Sequence, residues 1–297
     1  MSGPTTPAHS LWAQALPLLA VLGSVTALGL GTSLAKSLFP QVGSLGTSAL
    51  RLGFSALLLL IIWRPWRWAL RPGDGAALLR YGVALGGMNL LFYQSLQTLP
   101  FGIAVAIEFS GPLAVALYFS RRWIDFVWFA LAVIGLALIL PIGSSADHAN
   151  ALDPTGVAYA LGAAVCWAAY IVFGKKLGHL HAGHSVTLGL SVAALTVVPV
   201  GVWHAGTALL QPEVLMVGVV VAAVSSAVPI SLEMVALKRL PPSAFGIMIS
   251  LEPAVAALLA LLLLDEHLSA TQWLAIGLTM LAAAGCASTA QRGIATT

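Results

Sequence analysis

Residues 99–117 read LPFGIAVAIEFSGPLAVAL, and residues 240–258 read LPPSAFGIMISLEPAVAAL. The two segments align with an offset of about 141 residues, which pairs Pro112 with Pro253. Each is almost wholly apolar and about as long as a helix that crosses a bilayer. Their repetition indicates a duplicated membrane protein.

The composition of the whole chain agrees with a membrane environment. The 297 residues include only 13 Lys and Arg and 10 Asp and Glu, which is 8% charge, and mean hydropathy is +0.97. An average soluble domain carries about 25% charged residues. This composition excludes a water-soluble fold, a disordered chain and a nucleic-acid-binding domain. Cys166 and Cys286 both lie in apolar runs, which predicts small packing residues and neither a disulfide nor a metal site.

Working outward from the two repeated segments, we find ten runs long enough to span the membrane. They cover residues 12–36, 43–63, 75–97, 101–120, 123–142, 154–174, 184–203, 213–237, 243–264 and 270–290. Residues 1–11 contain no Lys or Arg, so the first run is not expected to be a cleaved signal peptide. Spans of this length also argue against a β-barrel. We predict an all-α integral membrane protein with ten transmembrane helices.

The basic residues predict the orientation of these spans. Eleven of the 13 Lys and Arg residues fall on one face when the spans alternate: Arg64, Arg67, Arg71, Arg80, Arg121, Arg122, Lys175, Lys176, Lys238, Arg239 and Arg292. Lys36 falls on the other face, and Arg51 lies inside the second span. The positive-inside rule makes the basic face cytoplasmic, so both termini are predicted to be cytoplasmic.

The repeat predicts the architecture. Because each copy has five spans, the second must enter the membrane inverted, and the basic corner 121–122 accordingly becomes the acidic corner 265–266. Inverted repeats recur in secondary transporters, although channels and some membrane enzymes are also duplicated. The predicted divisions are a cytoplasmic tail 1–11, a first repeat 12–142, an extracytoplasmic linker 143–153, a second repeat 154–290 and a cytoplasmic tail 291–297.

Several segments carry a family resemblance. They are SLAKSLFPQVG (33–43), GGMNLLFYQSLQT (86–98), GIAVAIEFSGPLAVAL (102–117), RRWIDFVW (121–128), SLEMVALKRLP (231–241) and LEPAVAALLALLLLDEHLS (251–269). The chain resembles the drug/metabolite transporter superfamily of the EamA type, and within it the bacterial threonine/homoserine exporter branch. The resemblance implies an inner-membrane efflux permease for amino acids and related metabolites, built as a ten-helix bundle around a central cavity.

Ionisable residues inside the spans are the first candidates for a substrate site, because each is costly to place in hydrocarbon. At 1.5 Å per residue, Glu108 lies about 10 Å into its span, Glu252 about 13 Å and Arg51 about 12 Å. Glu233 is near the cytoplasmic end of its span and could instead pair with the basic residues 238–239. For the other three, the structural alternative is a buried ion pair or a hydrogen-bonded carboxylic acid.

The prolines mark the same two spans. Proline cannot donate a backbone hydrogen bond, so Pro112 frees the carbonyl of Glu108, and Pro253 frees that of Ile249. Such carbonyls are tolerated at mid-membrane beside protein or a water-lined cavity. We expect a helix kink at both prolines, which could also serve packing alone.

Two helical stripes supply neutral candidates. Asn89 and Tyr93 follow two glycines at spacings of three and four residues, and could donate hydrogen bonds to a substrate. Trp167 and Tyr170 share a face of the span 154–174 and could form an apolar cavity wall. Packing or an interfacial aromatic belt is the alternative for this second stripe.

Together these groups suit a zwitterion, since carboxylates can bind an ammonium and Arg51 can bind a carboxylate. The hypothesis is amino-acid export by alternating access, driven by the substrate gradient or by proton antiport. Glu108 is the first candidate proton carrier and Glu252 the second.

The alternatives are a flippase or exporter of a lipid-linked or hydrophobic metabolite, a membrane enzyme and a channel. No catalytic, metal, Walker A or dinucleotide motif occurs, so no enzyme activity or cofactor is expected. The expected partners are the substrate, the bilayer and protons, with no nucleic acid, for a monomer or weak dimer.

Overall fold

A computed structural model describes residues 11–67, 70–119, 123–139, 152–237, 239–240 and 242–294. Within these ranges the chain is helical and contains no strand, as predicted. The α-helices are α1 (Leu11–Lys36), α2 (Phe39–Trp63), α3 (Asp74–Ser95), α4 (Phe101–Glu108), α5 (Ser110–Phe119), α6 (Trp123–Ile139), α7 (Pro154–Lys175), α8 (Ala182–Ala205), α9 (Pro212–Ala222), α10 (Val228–Leu237), α11 (Pro242–Ile249), α12 (Glu252–Leu264) and α13 (Ala270–Ile294).

The membrane character of the fold is clear from helix length. In the described ranges, nine helical segments are long and apolar enough to cross a bilayer, some of them made of two consecutive helices. The remaining predicted span, 123–142, is described only as far as Ile139, as the 17-residue apolar helix α6. The chain is therefore a multi-pass α-helical membrane protein.

Three of the spans are interrupted close to a proline. The helix breaks at Phe109 between α4 and α5, three residues before Pro112, and again between α11 and α12, directly before the first turn that contains Pro253. Between α9 and α10 the helix widens into a π-helical turn, Ala223–Ala227, shortly before Pro229. Each interruption follows from the N–H that proline lacks. Backbone carbonyls within these spans therefore lose their usual helical donors.

Two predicted boundaries differ from the structure by four residues. Helix α2 begins at Phe39, four residues before the predicted start at residue 43, and it is kinked at Gly43, whose φ of 68° is non-helical and favours glycine. Helix α13 continues to Ile294, so its last turn includes part of the tail predicted for 291–297. Residues 1–10 of the predicted N-terminal tail, most of the linker 143–153, and Arg121, Arg122 and Lys238 lie outside the described residues.

Helices from the two halves of the chain are interleaved. Helix α2 packs along α8, α3 along α7, α6 along α13, and α1 against α10 and α12. Small residues permit the close approaches: a Cβ atom added to Gly111 of α5 would lie 2.1 Å from the carbonyl oxygen of Ala164 in α7. This arrangement surrounds a central space and leaves many large apolar side chains exposed on the outside, where lipid would solvate them.

Candidate functional site

A central cavity of about 390 Å³ lies among these helices. Residues of α1, α2, α3, α4, α7, α8, α10, α11, α12 and the π-helical turn line it, whereas the described parts of α6 and α13 contribute none. Its volume falls in the range of small-molecule sites, which is roughly 300–1,000 Å³. The lining is mostly apolar with a few polar side chains, as is typical of such sites.

Arg51 is the basic residue of the cavity wall, and neutral groups hold its guanidinium. Its Nε donates to Ser225 Oγ at 2.9 Å, and Nη1 donates to Asn89 Oδ1 at 2.7 Å. The ring centroid of Tyr93 lies 5.4 Å from its Cζ. No carboxylate among the described residues lies within ion-pair distance of Arg51, and the hydrogen bonds to Ser225 and Asn89 use only two of its three nitrogens. The guanidinium is thus positioned, yet retains donors for an anion.

Three carboxylates line the same cavity: Glu108, Glu233 and Glu252. Glu233 accepts a hydrogen bond from Ser24 Oγ at 2.9 Å. No described residue donates a hydrogen bond to Glu108, which is only 7% exposed, or to the half-buried Glu252. Buried polar groups normally have hydrogen-bond partners. These two carboxyl groups are therefore the ones that a bound ligand or water would satisfy.

Aromatic side chains complete the wall. The ring of Trp167 lies edge-on to Phe109, with centroids 5.1 Å apart. Tyr170 stacks on Tyr81 at 4.6 Å, and its hydroxyl accepts from the hydroxyl of Tyr81 at 3.1 Å. Trp167 and Tyr170, two of the predicted site residues, both line the cavity.

The structure brings together seven of the eight predicted site residues. The exception is Tyr93, which is fully buried and lies behind Arg51 rather than among the lining residues. Pro112 and Pro253 do not line the cavity either, but adjoin the helix breaks next to Glu108 and Glu252.

Sequence reasoning did not select Ser225 or Thr32, both of which line the cavity. A signal for Ser225 was available, because Pro229 four residues later frees its carbonyl and predicts an irregular backbone there. For Thr32, a small polar residue in a glycine-rich helix, the sequence contains no comparable signal.

Comparisons with known proteins identify the family of this chain. A family model described as the EamA-like transporter family matches residues 154–287. The threonine/homoserine exporter RhtA of Escherichia coli K12 is 48% identical over 277 residues, covering 93% of both chains. The chain belongs to the drug/metabolite transporter superfamily, in its RhtA-like branch. RhtA of Salmonella typhimurium LT2 is 47% identical over the same shares.

Two further matches are more distant. The uncharacterized transporter YvbV of Bacillus subtilis is 31% identical over 133 residues, 42% of this chain and 43% of its own. A protein of known crystal structure superposes with a TM-score of 0.59 at 18% identity, covering 93% of this chain and 98% of its own. That likeness concerns the fold alone. The described residues contain no group of three or more His, Cys, Asp and Glu side chains suited to hold a metal ion.

Proposed function

We propose that this protein is a secondary transporter that exports threonine, homoserine and related small amino acids across the bacterial inner membrane. One observation carries the proposal: the positioned guanidinium of Arg51 lies in the same cavity as Glu108 and Glu252. The relatives named as threonine/homoserine exporters cover nearly the whole chain, which supports the choice of substrate.

Arg51 would bind the carboxylate of the substrate. Guanidinium groups form short, charge-assisted hydrogen bonds with carboxylates, often through two parallel donors. Asn89 and Ser225 orient the group without neutralising it, because both are uncharged acceptors. A protein carboxylate in their place would compete with the substrate for the same donors.

Glu108 and Glu252 would bind the ammonium group. An ammonium has three donors and no acceptor, so carboxylate and carbonyl oxygens are its natural partners. Pro112 and Pro253 add to this supply, since the carbonyls of residue 108 and residue 249 lack their usual helical donor. Glu233 is already engaged by Ser24, which favours the other two glutamates.

The hydroxyl of threonine or homoserine would find neutral partners on the same wall. Thr32, Ser225 and Ser226 line the cavity, and Ser226 Oγ lies 2.7 Å from the buried Ser55 Oγ. Hydroxyl groups can donate or accept, so this wall can also accommodate other small side chains. We therefore expect a preference for hydroxylated amino acids rather than strict selection.

The transport cycle that we propose is alternating access by two inverted five-helix repeats, 12–142 and 154–290. The pairing of α2 with α8 and of α6 with α13 supports it, because each pair joins spans that occupy equivalent positions in the repeats. The distribution of basic residues supports cytoplasmic termini. Efflux would use the substrate gradient, or exchange a proton for the substrate ammonium at Glu108, with Glu252 as second candidate.

The test is counterflow of labelled threonine into proteoliposomes that contain purified protein. Threonine and homoserine should compete for uptake, and Arg51→Gln should raise the threonine concentration that gives half-maximal uptake. Ser231→Ala is the control, because Ser231 is exposed, does not line the cavity, and donates only to the carbonyl of Ala227 one turn earlier. Absence of counterflow with any amino acid would refute the proposal, and competition by lipid-linked compounds alone would favour the flippase.

A further inference from the structure

We infer that Lys36 and Glu266 form the outer gate of this transporter, an inference that rests on the proposed alternating-access function. Lys36 is the last residue of α1, and Glu266 lies between α12 and α13. Lys36 Nζ donates to Glu266 Oε1 at 2.5 Å, and the side chains are only 18% and 17% exposed. Residues 230 positions apart are thereby tied together at the end of the bundle predicted to face outward.

The second oxygen of Glu266 extends the contact to a third helix. Glu266 Oε2 accepts from the backbone N–H of Phe101 at 2.7 Å, the first residue of α4. This N–H has no acceptor within its own helix, and the positive end of a helix dipole favours a carboxylate. One carboxylate therefore connects α1, α4 and the end of α12. We call these three residues, Lys36, Glu266 and Phe101, the outer latch.

The outer latch is connected directly to the cavity wall. Thr32 lines the cavity one turn before Lys36 on α1, and the side chain of Phe101 lines it on α4. Glu266 is itself fixed to α12, since its N–H donates to the carbonyl of Ala260 at 3.2 Å. Opening a path from the cavity past Phe101 therefore requires the carboxylate to release α1 or α4.

Close packing beneath the outer latch reinforces the seal. A Cβ atom added to Gly102 of α4 would lie 2.5 Å from Cβ of Ala257 in α12, so the two backbones are in direct contact. A backbone contact of this kind leaves no room for a substrate to pass. Separation of α4 from α12 would break it together with the outer latch.

The corresponding contact at the cytoplasmic end differs in chemistry. There, the end of α7 meets the end of α5, and Lys175 Nζ lies 3.8 Å from the ring centroid of Phe119. No acidic residue among those described pairs with Lys175. The two ends are thus held by different interactions, and the outer one depends on a charge pair that single substitutions can remove.

The test measures access to the cavity without any substrate. Met88 lines the cavity, and Met88→Cys places a single reporter thiol there when Cys166 and Cys286 are replaced by Ala. Right-side-out membrane vesicles are treated with a membrane-impermeant maleimide, and the labelling rate is followed. Inside-out vesicles give the rate from the cytoplasmic face.

Glu266→Gln and Lys36→Gln should each raise the labelling rate from the outside about tenfold, which corresponds to about 1.4 kcal/mol. Each variant removes one of the two partners of the same ion pair, so a folding defect in one variant leaves the other informative. Asp265→Asn is the matched control: Asp265 is 94% exposed and contacts only His267 nearby, and asparagine tolerates its left-handed backbone. This control should leave the rate unchanged.

Equal rates for Glu266→Gln and Asp265→Asn would overturn the inference, as would a rise seen only in inside-out vesicles. Failure of the proposed function is distinguishable, because labelling requires no transport. If the labelling rate rises as expected but threonine counterflow is absent, the gate inference stands and the proposed substrate is wrong. Threonine counterflow with unchanged labelling would refute the gate alone.

Discussion

Replacement of Arg51 by Gln is the sharpest test of the candidate site. The side chain loses its charge and both hydrogen bonds that orient it, to Ser225 and Asn89, while these two partners remain beside the cavity where water can solvate them. The principal loss is therefore the contact with the substrate carboxylate. A hydrogen bond to a charged group contributes about 1.5–3 kcal/mol, so the half-saturating threonine concentration should rise roughly 10- to 150-fold.

A comparison of two ligands isolates this contact from any general damage. Threoninol has the ammonium and hydroxyl groups of threonine but no carboxylate, so it should be a poor competitor of threonine for uptake by the parent protein. Arg51→Gln should weaken competition by threonine far more than competition by threoninol. This is the logic of a double-mutant cycle with the ligand as one partner.

The assay is inhibition of threonine counterflow in proteoliposomes, with Arg51→Lys as a second variant. Lysine retains the charge but not the planar fork, so we expect an intermediate loss. If Arg51→Gln weakens threonine and threoninol equally, Arg51 does not bind the carboxylate, and the reasoning from its free donors is wrong.

Three further predictions concern the helices around the cavity. Glu108→Gln should reduce threonine counterflow and abolish its acceleration by a pH gradient, because glutamine keeps an acceptor for the ammonium but has neither the negative charge nor a proton to exchange; an unchanged response to the gradient would refute proton exchange at this residue. Pro112→Ala should restore a backbone donor to the carbonyl of Glu108 and reduce the counterflow rate, and a rate equal to that of the parent would show that the break serves packing alone. Gly111→Ala should lower the melting temperature in detergent, since its Cβ would lie 2.1 Å from a backbone oxygen of α7 and overpacking costs about 1–3 kcal/mol. Gly277→Ala is the control for this last variant, because an added Cβ meets nothing within 4 Å, and equal melting temperatures for both would contradict the packing argument.

The apolar runs alone were sufficient to predict helices and to single out the unusual polar residues. In hydrocarbon every backbone group must be satisfied within the span, so long apolar runs leave few alternatives to a helix. The same solvent makes each charged side chain at depth conspicuous. For this reason Arg51, Glu108 and Glu252 could be selected from the sequence, and the structure places all three on one cavity.

Helical periodicity was less informative about which side chains reach the cavity. Asn89 and Tyr93 are four residues apart on one face of α3, yet only Asn89 lines the cavity. Tyr93 lies one turn further along the helix, where Arg51 from α2 covers its ring. Periodicity predicts a face of one helix, but a side chain from a neighbouring helix decides which part of that face remains open.

The sequence by itself determined the membrane-spanning helical fold, the family and which ionisable residues fall within the apolar runs, because hydrocarbon constrains each span separately. Only the tertiary structure decided which spans lie side by side. The contact of Lys36 with Glu266 and that of Arg51 with Ser225 join residues from opposite halves of the chain. Such pairs depend on how α1, α2, α12 and the π-helical turn pack against one another, and no local pattern in the sequence encodes that packing.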